Sequence, residues 1–353
     1  MAVYTAIDDP SAYFKVQLYT GNGSANHAIT FDDTDTDMQP DLVIIKNRDA
    51  ADSFCLFDSA RGATKVIHPD VTTAEVTDAD TLDSFTSDGF QVDADDKVNT
   101  SSEKYASWNW KGNGGSGAAN SDGSISSIVY VNSTSKFSIV TWTGNGSTAT
   151  IGHGLGVAPR MFVTFPYANG SDWYKYMEAV GPTKGQGWSH DSAPYTHSTY
   201  YNDTAPTSTV FTLGSATNVA ETMIAYCFAD VQGFSKVSGS YVGNANADGT
   251  FVYTGFRPAL VITKAVVTAS RTWLLFDNKR HGFNADDAAN AGNNSLAMHL
   301  AGTESSDNFI DLLSNGFKVR NTSDILNAAS AQMYTAFADA PFVNSKGVPC
   351  NAR

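Results

Sequence analysis

The chain has 353 residues, 42% hydrophobic and only 16% charged, with a formal net charge of −14. Three scattered cysteines, no apolar run of membrane length and no Lys/Arg cluster argue against a disulfide scaffold or a membrane span. They also argue against nucleic acid and anionic lipid as partners. The polarity resides in Ser, Thr, Asn and Gly, which suits sheets and tight turns better than helices.

Read from the N-terminus, "MAVYTAIDDP" has neither a basic nor an apolar stretch, so no signal peptide is expected and the cysteines are expected to stay reduced. "YTGNGS" (19–24) follows, then Pro40 with "DLVIIKNR", an aromatic strand "FCLFDSARG" (54–62), the turn phrase "FTSDGFQV" (85–92) and the alternating "YASWNW" (105–110). A Gly/Ser/Asn-rich stretch at 113–127 reads as a linker. The order then recurs: "TGNGS" (143–147), Pro159 with "RMFVTFPY", "WYKYMEAVGP" (173–182) and "MIAYCFAD" (223–230). It recurs again as "YVGNAN" (241–246), Pro258 with "ALVITKAV", "WLLFDNKRHG" (273–282), "LLSNGFKV" (312–319) and "MYTAFADAPF" (333–342). A spacing near a hundred residues indicates duplicated domains rather than a short solenoid repeat.

The chain therefore reads as all-β. Three tandem β-sandwich, jelly-roll-like domains are expected at 1–112, 128–236 (diverged, without the "SDGF" phrase) and 237–353 with a C-terminal tail. The Gly-Asn-Gly phrases read as tight turns, because Gly and Asn tolerate positive φ. Phe57 and Phe276 are expected at equivalent core positions, with Asp58 and Asp277 on the opposite strand face, away from the core. "DILNAASAQMYTAF" (324–337) has some helical character but overlaps the closing strand.

Catalytic and metal signatures are sparse. None of the seven histidines falls in HxH or HExxH, and no G-x-S-x-G elbow occurs. Asp33, Asp35 and Asp37 alternate as calcium ligands do, but lack the sixth-position Gly and twelfth-position Glu of an EF-hand, so no metal or other cofactor is expected. The stretch 167–204 gathers aromatic and short polar residues. Trp173 and Tyr176 match Phe54 and Phe57 by offset and read as core. Trp188, His190, Tyr195, Tyr200 and Tyr201 are the candidates for contact with a glycan or a protein partner.

Together the phrases "YTGNGS", "PDLVIIKNR", "LFDSARG", "FTSDGFQV", "YASWNW", "IGHGLGVAPRMFV" and "FADAPFVNSKGVPCNAR" resemble a repeat family found in virion proteins of tailed phages, especially marine ones. The resemblance spans nearly the whole chain. It implies lectin-like jelly-roll domains in a tail-fibre-like or structural protein, and carries no catalytic residues. The expected function is a non-enzymatic virion structural protein, a tail-fibre or adhesin component or a head decoration, assembled in the host cytoplasm. Other virion proteins, a homo-oligomer (a trimer foremost) and host-surface carbohydrate are the expected partners, without membrane insertion. A polysaccharide-degrading virion enzyme and a stand-alone lectin are the alternatives.

Overall fold

Three six-stranded antiparallel sheets dominate the molecule, and all three share one four-strand order, with two further strands beyond the fourth in the first and third sheets and before the first in the second. The computed structural model describes residues 4–31, 36–267, 271–280, 293–307 and 309–350. Among them, helix is confined to the short turns Pro10–Ala12, Asp96–Asn99 and Ser198–Tyr201, so the protein is all-β.

In every sheet an opening strand (Phe14–Thr20, Phe137–Thr143 or Ser235–Val242) pairs with the closing strand (Lys104–Trp110, Thr222–Phe228 or Ala331–Pro341). The closing strand pairs next with the strand that follows the marker proline in the first two sheets and contains it in the third (Leu42–Asn47, Met161–Pro166 or Phe256–Ala265). The aromatic strand (Cys55–Asp58, Tyr174–Met177 or Leu274–Asp277) comes after it. Register repeats too. Two residues beyond Pro40, Pro159 and Pro258 stand Leu42, Met161 and Leu260, which face Trp110, Phe228 and Phe337. In the stretch read as a linker, Ala118–Asn120 form a strand that pairs with Ser127–Asn132, which in turn pairs with Phe137–Thr143. The 324–337 stretch contributes no helix, and its residues from Ala331 onward enter the closing strand.

Each large sheet has two covered faces. One face carries a small sheet of its own: His27–Thr30 with Gly89–Val92 and Leu82–Thr86; Ala149–Gly152 with Val210–Leu213; and Phe251–Tyr253 with Gly316–Val319 and Ile310–Leu313. The other face joins the other two large sheets in a single apolar core. At its centre Trp110, Phe228 and Phe337, one from each closing strand, meet with ring centroids 5.5–6.2 Å apart. Coverage on both sides explains why "LVIIKN" and "MFVTFP" are buried at every position, where a half-solvated strand would alternate.

Phe57, Tyr176 and Phe276 occupy the same register and are all buried. The expectation for Asp58 and Asp277 is corrected. Their side chains do take the face opposite to their phenylalanine neighbours, but that face is the shared core, and both carboxylates are fully buried. Each accepts the Nε of an arginine three residues on, Arg61 or Arg280, at 2.6 Å, together with two turn amides.

A buried asparagine holds each of the three repeated Gly-Asn turns. Asn99 accepts from the Asn22 amide at 2.9 Å and donates to Ser24 O; Asn218 donates to Asn145 and to Ser147 O; Asn327 accepts from the Asn244 amide and donates to Asn246 O. All three clamps are fully buried. The residue each turn holds at positive φ is Gly23 (67°), Gly146 (70°) and, unusually, Ala245 (53°).

Candidate functional site

The second sheet departs from the other two where the sequence loses its "SDGF" phrase. Its small sheet has two strands instead of three. Residues 183–203 lie nearby, in a short hairpin (Lys184–Gly185 with Tyr195–Thr196) followed by the turn of helix Ser198–Tyr201.

The five sequence candidates separate into three environments. Tyr201 is fully buried and packs edge-on against Phe162 and Tyr176, as core. Tyr200 is nearly buried. Its ring lies over Gly185, where an added Cβ would come within 2.3 Å of it, and edge-on to Tyr174. Burial, with the hydroxyl contact from Tyr195, pushes the Tyr200 phenol well above its ordinary pKa. Tyr195 is 38% exposed and stands edge-on to His197 at 5.7 Å.

Trp188 and His190 go elsewhere, into the seam between the second and third sheets. Trp188 is 8% exposed and stacks on Trp273 with centroids 5.7 Å apart. The Lys175 Nζ stands 4.1 Å and 4.0 Å from the two ring centroids. Lys175 is buried without a hydrogen-bond partner among the described residues, and burial pushes its amine well below the ordinary lysine pKa. Two indole faces oppose that shift, since a desolvated cation over Trp gains about 2 kcal/mol. His190 is half-buried, sits against Gly187 and contacts the Ser192 hydroxyl through Nδ1 at 2.6 Å. Beside it, Lys264 donates to the Asp191 carbonyl, and burial lowers its pKa to about 8.

What remains open to solvent is a shallow cleft of about 370 Å³ lined by Thr183, Thr196, His197, Ser198, Thr199 and Asp203. Tyr195 borders it in sequence and packs on one of its walls. Asn202 and Asp203 both hold positive φ, at 51° and 49°, the left-handed turn that Asn and Asp tolerate better than other side chains. Hydroxyls, an imidazole, a carboxylate and an exposed tyrosine face form a set that can hydrogen-bond and stack a sugar ring. Sequence reasoning found Tyr195 but not His197, Thr199 or Asp203, because Ser/Thr-rich loops are common throughout this chain. Of the calcium candidates, Asp33 and Asp35 lie outside the described residues, and Asp37 is exposed. Among the described residues no group of three His, Cys, Asp or Glu side chains could hold a metal ion.

Comparison with known families gives one match, Domain of unknown function (DUF7483), over residues 9–341. The chain belongs to this family. The matched span takes in all three large sheets and the 183–203 loop, so the family is defined by the whole ring of sheets rather than by one of them. No curated protein and no solved structure matches the chain.

Proposed function

We propose that the chain is a non-enzymatic structural protein of a phage virion, a surface appendage whose 183–203 loop contacts host-surface carbohydrate. The observation that carries this reading is the threefold recurrence of one sheet order around a common apolar core. We infer that the three segments are duplicated β-sandwich units of jelly-roll type. Packed on one another, they make a rigid block that presents its loops outward. One chain already supplies three sheets about one centre, so the assembly we favour is docking onto another virion protein rather than a trimer of this chain. The cleft suits a saccharide because its walls offer short donors and acceptors beside an aromatic face.

Two measurements test the proposal. Immunogold labelling of intact particles should place the protein on the virion, and absence of label and of its peptides from purified particles would overturn that part. On a glycan array, Tyr195→Ala and His197→Ala should both lose the signal of the parent chain. An array without any hit for the parent chain would remove the carbohydrate.

A further inference from the structure

An open cleft of about 660 Å³ lies where the first and third sheets meet. One wall is four consecutive residues of the first opening strand, Phe14–Gln17. The opposite wall comes from Arg257, Ala259, Asn278, Lys279 and Ala338–Ala340, and Asp8–Ser11 closes one end.

That opening strand is the edge of its sheet. It pairs with Lys104–Trp110 on one side and with no strand of the described residues on the other. Its ladder fixes which groups point outward. Gly21 N bonds to Glu103 O and Lys111 N to Tyr13 O, so the odd-numbered residues bond inward. Phe14, Val16 and Leu18 therefore turn N–H and C=O toward the cleft side. The Leu18 carbonyl accepts the Gln17 side-chain amide, and among the described residues no backbone partner takes the others.

The second sheet shows what this edge is shaped to receive. Its opening strand, Phe137–Thr143, stands in the same register, and the same edge is covered by Ser127–Asn132. In that covering strand Val129 packs into the small-sheet core, while Tyr130, its neighbour, packs against the central core. In the third sheet the corresponding edge is interrupted by a register shift between Lys236 and Gly239. The first sheet thus keeps a straight, uncovered edge, recessed in a cleft that shields it from indiscriminate pairing.

We propose that this cleft is a strand-acceptor site, in which an extended segment of another virion protein adds as a seventh strand antiparallel to Phe14–Thr20. The donor segment has apolar, β-branched or aromatic residues at alternate positions, as in "SIVYVN" (127–132). Main-chain bonds to Phe14, Val16 and Leu18 supply affinity. Asn278 adds a side-chain acceptor, since it lines the cleft, is about nine-tenths buried and has an Oδ1 without a partner among the described residues. Asp8 and Asp9 at one end, with the exposed Lys279 across the cleft, set the polarity of the donor's flanking charges. This inference rests on the virion reading only for the source of the strand, not for the edge itself.

The test uses the full chain and a synthetic peptide of residues 126–133, the natural covering strand of the second sheet. Calorimetry should show saturable one-to-one binding. Val16→Pro and Leu18→Pro each remove one outward N–H while leaving the inner ladder intact, and each should weaken binding about tenfold or more. Hydrogen exchange keeps the test open if either variant fails to fold. In the parent chain the Val16 and Leu18 amides should exchange fast alone and slowly with peptide, while Lys15 and Gln17 stay slow in both. No saturable binding, unchanged affinity in folded variants, or Val16 and Leu18 already protected in the peptide-free chain would each overturn the proposal. Peptide binding by a chain that purified virions lack would retain the edge and remove the virion source. Virion incorporation without peptide binding would do the reverse.

Discussion

Among the described residues, two seams between the large sheets carry a buried ionic tether and the third does not. Between the first and second sheets, the Tyr226 hydroxyl donates to Asp58 at 2.7 Å, and Asp58 is held by Arg61. Between the third and first, Trp108 Nε1 donates to Asp277 at 3.2 Å, and Asp277 is held by Arg280. Both arginines reach further in the same way, Arg61 to Glu75 and Arg280 to Glu304, and Glu304 also takes Arg48 from the first sheet. At the seam between the second and third sheets, the matching closing-strand residue is Thr335, whose hydroxyl lies 3.5 Å from Met161 Sδ. Met177 and Val180 stand where the aspartate and arginine would be. That seam instead contains Lys175 between Trp188 and Trp273. One packing position is thus filled either by a satisfied ion pair or by apolar side chains, and the ring closes both ways. The ion pair is therefore not required to fill that position, in keeping with the frequent replacement of buried ion pairs by apolar side chains of similar volume.

The sharpest way to break this comparison is to remove one partner. Arg280→Ala should cost about 3–5 kcal/mol in chemical denaturation, because it strands Asp277 in the core. The paired change Asp277→Met with Arg280→Val copies the second sheet and should recover most of that loss. If the paired variant is as unstable as the single one, the two kinds of seam are not interchangeable. On the other face of the same strand position in the first sheet, Phe57→Ala should also cost about 3–5 kcal/mol. A loss below about 1 kcal/mol would mean the small-sheet core adds little beside the shared one.

The turn clamps give a smaller effect that should be nearly equal in tethered and untethered parts. Asn99→Ala and Asn218→Ala each leave buried turn groups unpaired and should cost about 1–3 kcal/mol. A large difference between them in thermal melts would show that the second segment relies on its turn differently.

The smallest change is a gain. Burial holds the Lys175 pKa below its unfolded value near 10.5, so the unfolded chain binds the extra proton between those two values. The penalty is complete below the folded pKa and vanishes as pH rises past the unfolded one. Lys175→Met should therefore raise the denaturation midpoint at pH 7 and flatten the rise in stability toward pH 10. A midpoint that falls instead would show that the two indole faces hold the ammonium favourably.

Much of the strand inventory was readable from the chain, because its marks are local. Pro40, Pro159 and Pro258, the Gly-Asn-Gly turns and the aromatic pairs Phe54/Phe57, Trp173/Tyr176 and Trp273/Phe276 act over a few residues. Alternation and turn chemistry suffice to interpret them. Ala118–Asn120 escaped that reading because an edge strand in a Gly/Ser-rich stretch gets its order from a neighbour, not from its own propensity.

Sequence alone determined the all-β class, the recurring order of proline, aromatic and closing strands along each segment and the opposite facing of Phe57 and Asp58, since period-two alternation is a property of the backbone. Tertiary structure alone decided that the face opposite Phe57 is a second core, that Asp58 and Asp277 meet Tyr226 and Trp108, and that Trp188 leaves the candidate loop to cover Lys175. It also decided that Phe14–Gln17 remain an open edge. The Asp58–Tyr226 and Asp277–Trp108 contacts join residues 168 and 169 positions apart, and no local periodicity encodes which sheet arrives at a surface.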